Sequence, residues 1–325
     1  MREVPFLSIK GIKCGHAQDL THGTGITVVL CEEGAVAGVD VRGGAPGTRE
    51  TDLLDPSNLV ERVHGVFLSG GSAFGLNAAA GIVKYLEERG AGFDVGVGRV
   101  PIVTGAVLFD LTVGSARVRP DEAMGYAACV QAKSFGEELE EGCVGAGTGA
   151  TVGKYLGPQQ AMKGGLGAAA FQVGRLVVGA VAAVNCLGDV RDPATGRLVA
   201  GLLAPERDRI LGTEEVLLAA AEQAEKTNLF SGNTTLAVVV TNAALTKAQA
   251  RKIASMAHDG FARTIIPSHT FVDGDTIFAL GTGEVQADLN ALGLLAAKAV
   301  EQAVLRGVTK ATGMYGYPAA ADLVK

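Results

Sequence analysis

Short apolar runs joined by tight turns alternate along this sequence with long helical patterns, and few folds accommodate both. Residues 26–31 and 35–41 flank the turn signal Glu-Glu-Gly, and residues 168–173 and 175–184 flank a single glycine, so both pairs predict β-hairpins. Further apolar runs at residues 65–69, 235–241 and 276–280 predict buried strands. Antiparallel pairing is therefore expected to make up much of the fold.

Helical patterns lie between these strands and after them. They span residues 73–89, 121–132, 214–224, 247–263 and 284–306. Ser72, Thr213 and Thr246 each precede a pattern and are predicted to be helix caps, because their side-chain oxygens can accept a free N–H of the first turn. Strand pairs combined with long helices predict a layered α/β fold in which helices cover the outer faces of stacked sheets.

Composition and charge exclude several classes of partner. The chain has 325 residues, of which 48% are hydrophobic, and its net charge of -6 comes without a basic block. Nucleic acid is not expected as a partner, because phosphate binding needs a positive stripe. The most apolar stretch, residues 176–186, is too short to span a bilayer, and no secretory signal is evident. The 5 cysteines form no CxxC, so no metal site is predicted, and a cytoplasmic protein without membrane contact is expected.

Two glycine-rich segments approach known motifs but lack a required residue. Residues 70–75 (GGSAFG) are similar to a nucleophile elbow, yet Phe74 stands where that motif needs glycine. Residues 145–150 (GAGTGA) are similar to a dinucleotide fingerprint, but no acidic residue follows at the expected distance. Nucleotide binding is therefore not predicted, and no cofactor is expected.

Lys154 and Lys163 lie in a stretch, residues 143–188, that contains no Asp or Glu. Two interpretations are open for each lysine. It is either solvated at the surface, or it is partly desolvated among glycines and small apolar residues, which would lower its pKa and suit proton transfer or charge stabilisation. For either lysine taken alone, the pattern favours the solvated interpretation.

Polar residues beside strand runs give further candidates. Asn185 directly follows the apolar run 176–184 and is either a turn residue or a rigidly held amide donor to an oxyanion. Asp273 and Asp275 precede the run 276–280. They form either a common Asp-Gly turn or a carboxylate pair that orients a reacting amine or hydroxyl.

The sequence Gly-Asn-Thr-Thr at residues 232–235 stands at the start of a buried strand run. It closes a polar stretch, residues 225–233, that predicts an exposed loop. A hydroxyl at the start of a core strand, after Gly-Asn, has the layout that intramolecular cleavage requires. The freed Thr234 would carry a nucleophilic hydroxyl and an α-amine with a pKa of about 7.7–8.0, able to act as its own general base. From spacing alone, an ordinary turn is the favoured interpretation.

Sequence blocks spread along the chain, taken together, carry a resemblance to a known family. They read, in order, GHAQDLTHGTGITVVLCEEGAVAGVDVRGGAPGTRETDLL, LSGGSAFGLNAAAGIVKYLEERG, VGAGTGATVGK, MKGGLG, AVNCLGDV, GNTTLAVVVTNAALTKAQA and DGDTIFALGTG. The chain resembles the family of L-aminopeptidase/D-esterases and β-peptidyl aminopeptidases, and it is most similar to the branch of the nylon-oligomer (6-aminohexanoate-oligomer) hydrolases. The resemblance covers nearly the whole chain, and it is far more specific than any single motif.

This resemblance implies a fold and an activity. The fold is a four-layer αββα sandwich, with residues 1–325 in a single domain. The chain would cleave itself between Asn233 and Thr234 into chains 1–233 and 234–325. Thr234 would then be the nucleophile of an amidohydrolase that acts on linear oligoamides or short peptides, without a metal or cofactor. A homotetramer of processed pairs is also implied.

Residue by residue, the resemblance assigns roles to the other candidates. The oxyanion asparagine of the family matches Asn185. Its paired acids match Asp273 and Asp275, which are expected to orient the new amine and a catalytic lysine. That lysine best matches Lys154, with Lys163 as the alternative.

Two departures separate this chain from the aminopeptidase branch. That branch has Ser and Glu where Asp273 and Asp275 stand, and some members have a tyrosine where Phe109 is expected in the substrate pocket. Strict selection of a free amino end is therefore not expected. The alternatives are a β-peptidyl or L-aminopeptidase/D-amidase, an acyltransferase of the ornithine-acetyltransferase type, and an unprocessed, non-catalytic assembly protein.

Overall fold

The structure is a computed structural model that describes residues 1–222 and 232–323. Its strands are β1 (Arg2–Val4), β2 (Lys13–Asp19), β3 (Thr24–Val41), β4 (Thr48–Arg49), β5 (Arg62–Ser69), β6 (Phe93–Asp94), β7 (Arg99–Val100), β8 (Val103–Val107), β9 (Thr151–Val152), β10 (Met162–Lys163), β11 (Gly165–Val173), β12 (Leu176–Asn185), β13 (Asp189–Arg191), β14 (Leu198–Ala200), β15 (Thr234–Ala243), β16 (Ile265–Ile266) and β17 (Thr276–Val285). Its α-helices are α1 (Ala79–Glu87), α2 (Glu122–Val130), α3 (Thr213–Glu222), α4 (Lys247–Thr264), α5 (Leu289–Thr309) and α6 (Ala320–Leu323). Short 3-10 segments cover Phe6–Ser8, Asp52–Leu54, Ser72–Ala78, Gly145–Gly147 and Pro158–Gln160.

The main sheet runs in the order β1-β11-β12-β15-β17-β3-β5-β8-β4, with β2 also paired to β3. β15 and β17 run parallel, whereas β12 runs antiparallel to β15. Parallel neighbours start at the same edge of a sheet, and an antiparallel neighbour ends there. The starts of β15 and β17 and the end of β12 therefore share one edge.

The predicted hairpin at residues 26–41 is wrong, because these residues belong to one bent strand, β3. Its first half pairs with β2 and β5, and its second half pairs with β17. Between the halves, residues 31–34 bulge opposite His64, and Gly34 adopts a φ of 81° that glycine reaches at little cost. The turn signal thus bends a strand from one sheet layer into the other rather than reversing it. The predicted hairpin of β11 and β12 is confirmed.

Cores of buried side chains lie between four layers of helices and strands. Along β15, Val238 faces a core that it shares with Val66 of β5, while Val239 faces the core under α4 and α5. Val28 of β3 lies in a third core, together with Ile82 of α1. Helices α4 and α5, the two sheet layers, and helices α1 and α2 therefore stack in that order. The expected αββα sandwich is confirmed.

The long helices lie where the patterns predict them, with shifted ends. Thr246 caps α4 through a capping box with Gln249, as predicted. Helix α5 begins at Leu289 rather than at residue 284, because β17 extends past that residue and Asp288 caps the helix. Among the helices of the described residues, none is long and apolar enough to cross a membrane.

Two cap predictions are wrong. Ser72 lies inside a 3-10 segment with a φ of 53°, and Gly71 occupies the cap position. Thr213 is the first residue of α3, and its hydroxyl and N–H both donate to the buried carboxylate of Asp189. Asp189 therefore supplies the acceptor at the start of this helix, from a distant part of the chain.

Candidate active site

The residues predicted to form the site meet at the shared edge of β12, β15 and β17. β12 ends at Asn185 and β15 begins at Thr234, and the sheet register places these two residues opposite each other. Asn233 forms a parallel bridge with Asp273, shortly before β17 begins. The fold therefore brings together three segments that are far apart in the sequence.

Thr234 is buried in the intact chain, with 4% of its surface exposed. Its hydroxyl donates to the carbonyl oxygen of Asn233, the residue before it. The same oxygen accepts the N–H of Gly274 at 3.0 Å. A Cβ at position 274 would lie 2.5 Å from the Thr234 hydroxyl oxygen, so glycine allows this close approach. The Asn233 carbonyl thus has a hydroxyl and a polarising N–H against it.

Gly232 shapes the chain just before this carbonyl. It has a φ of 61°, and a Cβ there would lie 2.1 Å from the ring of Phe109. Phe109 is half-buried and lies beside the segment that precedes Thr234, and its role in a substrate pocket stays a prediction. Gly232 and Asn233 are buried, so the exposed-loop prediction is wrong for these two residues, and residues 225–231 of that loop lie outside the described residues.

Lys154 is buried beside Gly232, in the segment that precedes Thr234. Its ammonium donates to the backbone carbonyl of Asn185 at 2.8 Å, to Asn185 Oδ1 at 2.9 Å and to the Gly232 carbonyl at 3.1 Å. Burial lowers the pKa of Lys154 from 10.5 to about 7, although nearby acidic groups oppose the shift. A lysine with this pKa can hold or release a proton near neutral pH. The solvated interpretation is wrong for this residue.

Lys163 is also buried, but it binds a different set of groups. Its ammonium donates to the carbonyl oxygens of Gly147 at 3.0 Å, Ala150 at 2.8 Å and Gly164 at 3.0 Å. Burial lowers its pKa to about 8. Of the two candidate lysines, Lys154 is therefore the one in contact with Asn185 and with the segment before Thr234.

The side chain of Asn185 is held at both of its ends. Oδ1 accepts from the ammonium of Lys154 and, at 3.0 Å, from the N–H of Thr151. Nδ2 donates to the Phe109 carbonyl at 3.1 Å. These donors fix which end of the amide is oxygen, and a primary amide has a second N–H to offer. Asn185 is therefore a rigid amide donor opposite Thr234, as an oxyanion role requires.

Asp273 is buried and held by hydrogen bonds from the chain around it. One oxygen accepts the N–H of Leu187 at 3.3 Å, and the other accepts the N–H and the hydroxyl of Thr270 at 3.0 and 2.5 Å. Burial, together with the charge of Asp275, raises the pKa of Asp273 above its usual range. This carboxyl group can therefore take up a proton at a higher pH than an exposed aspartate.

Asp275 is buried and links two segments of the site. One oxygen accepts the N–H of Thr235 at 2.7 Å, and the other accepts Nδ1 and the N–H of His269. Within the described part of the chain, neither Asp273 nor Asp275 forms an ion pair with Lys154. The expected contact of the acids with the lysine is therefore not present in the intact chain, because both acids are occupied by nearer donors.

The sequence interpretation missed His269 and Thr270, which each hold one of the two aspartates. The signal available was weak, namely an adjacent His-Thr pair shortly before Asp273 in a segment with no other titratable side chain. It also missed the N–H groups of Gly274 and Thr151, because a backbone donor carries no residue-type signature.

Solved structures share this fold. The L-aminopeptidase D-Ala-esterase/amidase of Ochrobactrum anthropi, described as a variant of the Ntn hydrolase fold, matches with a TM-score of 0.71 at 18% identity, over 95% of this chain and 88% of that one. A β-aminopeptidase of Burkholderia sp. matches with a TM-score of 0.66 at 18% identity, over 99% and 94% of the two chains. The protein therefore has the N-terminal-nucleophile hydrolase fold, in the variant of these aminopeptidases.

Sequence comparison defines the family. The model described as peptidase family S58 matches residues 7–321. An uncharacterized aminopeptidase of Mycobacterium tuberculosis is 43% identical, over 97% of this chain and 96% of the relative. A 6-aminohexanoate-oligomer endohydrolase of Paenarthrobacter ureafaciens is 32% identical, over 94% of this chain and 86% of the relative. The chain belongs to peptidase family S58, and it is a hydrolase that acts on amide bonds.

Proposed function

We propose that the protein cuts its own chain between Asn233 and Thr234, and that the new N-terminal Thr234 then hydrolyses amide bonds. One observation carries this proposal: the Thr234 hydroxyl is in contact with the Asn233 carbonyl, whose oxygen also accepts the Gly274 N–H. A nucleophile and a polarised carbonyl group thus lie together in a buried site before any substrate binds.

In the first reaction, the Thr234 oxygen attacks the Asn233 carbonyl carbon while the hydroxyl proton passes to a base. The C–N bond breaks as the Thr234 nitrogen takes up a proton, which leaves an ester. Water then cleaves the ester into an Asn233 carboxylate and a Thr234 with a free amine and hydroxyl. Because the α-amine is absent before cleavage, another base is needed. We assign this role to the neutral amine of Lys154, whose Nζ lies 3.1 Å from the carbonyl of Gly232 in the segment before Thr234 and whose pKa burial lowers to about 7.

The Thr234→Ala variant tests self-cleavage directly. We expect it to remain a single 33.1 kDa chain on a denaturing gel, whereas the wild type separates into chains of 233 and 92 residues (325 minus 233). Thr235→Val is the matched control, because it removes a neighbouring buried hydroxyl and should leave processing intact. N-terminal sequencing of the small chain should begin at Thr234. Cleavage of the Thr234→Ala variant at the same bond would contradict the proposal.

In the second reaction, Thr234 attacks the carbonyl carbon of a substrate amide, and its own α-amine accepts the hydroxyl proton. The substrate oxygen takes the place that the Asn233 carbonyl oxygen occupies in the intact chain, against the Gly274 N–H. Asn185 and Lys154 supply further donors to the developing negative charge. The leaving amine departs with a proton, and water hydrolyses the acyl-enzyme.

Linear aliphatic oligoamides are the proposed substrates. Both oxygens of Asp273 and of Asp275 accept hydrogen bonds from the protein, so these acids are not set up to bind a substrate ammonium. Relatives that are 32% identical are named 6-aminohexanoate-oligomer endohydrolases. Burial of each methylene group contributes about 0.8 kcal/mol, which favours an apolar chain beside Phe109. We therefore expect cleavage of internal amides, with slower release of N-terminal residues from short peptides.

An aminopeptidase is the second candidate, because relatives named as uncharacterized aminopeptidases have the higher identity of 43%. One comparison separates the two candidates: hydrolysis of a 6-aminohexanoate oligomer with a free amine, against the same oligomer with that amine acetylated. Retained cleavage after acetylation supports the endohydrolase. Complete loss would show that the amino end is required, and the aminopeptidase would replace it.

We also propose that processed pairs assemble into a homotetramer. Glycine-rich segments allow close backbone contact between subunits, but the segment at residues 145–150 is buried within the chain and offers no contact surface. The exposed hairpin of β6 and β7 supports self-association instead, because Val97 is 99% and Val95 48% exposed. Sedimentation of the wild type should give the tetramer mass, and Val97→Asp should weaken assembly. The mass of one processed pair at micromolar concentration would contradict the proposal.

A cytoplasmic location is proposed as well. All 5 cysteines are free thiols, and Cys14, Cys31, Cys129 and Cys186 are buried. Unpaired buried thiols suit a reducing compartment. Fractionation of cells that express the full chain should place it with cytoplasmic markers, and enrichment in a secreted fraction would contradict this.

A further inference from the structure

His269 holds Asp275 by two hydrogen bonds to the same oxygen. Its backbone N–H lies 3.0 Å and its Nδ1 lies 2.9 Å from Asp275 Oδ2. Because an ionised carboxylate only accepts hydrogen bonds, Nδ1 carries the proton in this contact. His269 has a φ of 57°, which is uncommon and costly for a residue with a side chain. In this conformation, both donors of one residue reach a single oxygen.

The other oxygen of Asp275 acts on the strand of the nucleophile. Oδ1 accepts the N–H of Thr235 at 2.7 Å. That N–H belongs to the peptide group that contains the Thr234 carbonyl. His269, Asp275 and the first peptide group of β15 therefore form one continuous chain of hydrogen bonds.

We propose that His269 is a positioning residue for the nucleophile: it fixes the rotation of the Asp275 carboxylate, which in turn fixes the peptide group of Thr234. The proposal rests on the proposed function, since it concerns the same hydroxyl and amine. Before cleavage, Thr234 is tethered to the chain on both sides. After cleavage it is tethered only through the peptide group that Asp275 holds, so His269 matters more for turnover than for processing.

Two aromatic rings lie beside the ring of His269. The His258 ring lies edge-on to it at 4.8 Å between centroids, and the Phe261 ring lies at 6.2 Å. His258 contacts the backbone carbonyl of Asp40 rather than Asp275. Burial lowers the pKa of His258 to about 4, so this ring is uncharged at neutral pH. His258 therefore contributes packing without holding the acid, which makes it a matched control.

The ring of His269 contributes one side-chain hydrogen bond within the described residues, because its Nε2 has no partner there. Asparagine places an N–H close to the position of Nδ1, whereas glutamine places it one carbon further from the backbone. The two replacements are similar in polarity and differ in their reach to Asp275. Comparing the Asn and Gln variants therefore separates the effect of losing the hydrogen bond to Asp275 from the effect of losing the ring.

The test compares His269→Asn, His269→Gln and His269→Ala with the control His258→Phe. Processing is followed on denaturing gels, and kcat and KM of the processed enzyme are measured on a soluble 6-aminohexanoate oligomer. We expect His269→Ala and His269→Gln to lose about 10- to 100-fold in kcat, the scale of a nucleophile misplaced by about 1 Å or less, with KM changed less than about twofold. His269→Asn and His258→Phe should stay within about threefold of the wild type, and processing should slow less than turnover.

Two results would overturn the positioning role: equal kcat values for the Asn and Gln variants, or a higher KM with an unchanged kcat. The Asn and Gln pair decides the question even where the Ala variant does not fold. Thr234→Ala is measured in parallel to separate this inference from the proposed function. If Thr234→Ala is still processed and active, the proposed function fails. If it is inactive while every His269 variant matches the wild type, only the His269 role fails.

Discussion

Lys154 and Lys163 are both buried, and neither forms an ion pair with a carboxylate in the described part of the chain. The two ammonium groups differ in the hydrogen-bond acceptors that they contact. Lys154 donates to Asn185, which pairs with Thr234 in the sheet, and to Gly232, which lies just before the proposed cleavage site. Lys163 donates to the backbone carbonyls of Gly147, Ala150 and Gly164. Both carry a lowered pKa, so burial alone does not mark the lysine of the site.

The hydrogen-bond acceptors distinguish the two lysines. The proposed cleavage would change the acceptors of Lys154 and would leave those of Lys163 as they are. Gly232 lies in the segment that would become the end of the large chain. On release of that segment, Lys154 would lose an acceptor and have a donor free for a substrate. The acceptors of Lys163 stay in one intact chain. A buried lysine is thus a candidate for chemistry when one of its partners can leave.

The largest effect that we expect comes from Lys154→Met. If Lys154 supplies the base for processing and a donor to the oxyanion, its loss should slow processing and lower kcat by about 10²–10⁴-fold. Gel time courses and steady-state kinetics measure both quantities. Lys247→Met is the matched control, because Lys247 is 3% exposed and donates to the carbonyls of Leu53 and Asn58, away from the site. Comparable activity in the two variants would remove Lys154 from the mechanism.

Asn185→Ala should have the next largest effect, a loss of about 10²–10³-fold in kcat, which is the scale for one oxyanion donor. Its matched control is Asn242→Ala on β15. Asn242 is also a buried asparagine held at both ends, by the N–H of Val177 and the carbonyl of Arg175. We expect that control to unfold more easily but to retain its kcat. A similar loss of kcat in both variants would indicate a general effect on the sheet.

Lys163→Met should act mainly on stability. Removal of the ammonium leaves buried carbonyl groups without this donor, although the Ala150 carbonyl keeps the N–H of Gly164 at 2.9 Å. We expect the free energy of unfolding to fall by about 2–4 kcal/mol, measured by denaturant titration. The peptide group between Ala150 and Thr151 connects Lys163 to Asn185 Oδ1, so kcat of the folded enzyme should fall less than about 10-fold. A loss of activity equal to that of Lys154→Met would erase the distinction between the lysines.

The strand ends of this site could be predicted from the sequence. Asn185, Thr234 and Asp275 each stand beside an apolar run, and such runs are local patterns that indicate where a buried strand begins or ends. That these ends meet depends on the order of strands in the sheet, which local patterns do not contain. The resemblance to a family supplied that information, and the fold confirms it.

Other features could not be predicted, because they depend on distant parts of the chain. Glu-Glu-Gly at residues 32–34 is a turn signal locally, but the two halves of β3 pair with different neighbours, so the strand bends instead. The burial of Lys154 and Lys163 depends on backbone carbonyls that converge only in the folded chain. His269 is a single histidine in a short loop, and only the position of Asp275 gives it a role.

The pH dependence of stability sharpens the comparison of the lysines further. Lys154 has a pKa of about 7 in the folded chain, against an ordinary value of 10.5. Between these values the unfolded chain binds more protons, so the free energy of unfolding should rise with pH. For Lys163, with a folded pKa of about 8, the same rise should begin about one pH unit higher.

This last effect is the smallest, at most about 1.4 kcal/mol per pH unit for each lysine. It should be measured in the Thr234→Ala background, where every variant is one uncut chain. Adding Lys154→Met should flatten the curve from about pH 7 upward, whereas adding Lys163→Met should flatten it mainly above pH 8 and remove a smaller part of the rise between pH 7 and 8. Burial raises the pKa values of Asp110 and Asp273 to about 6, and the charges of both groups act on Lys154, so only the interval above pH 7 is compared. Identical pH profiles for the two lysine variants would mean that the two buried ammonium groups lie in equivalent environments, contrary to their different hydrogen-bond partners.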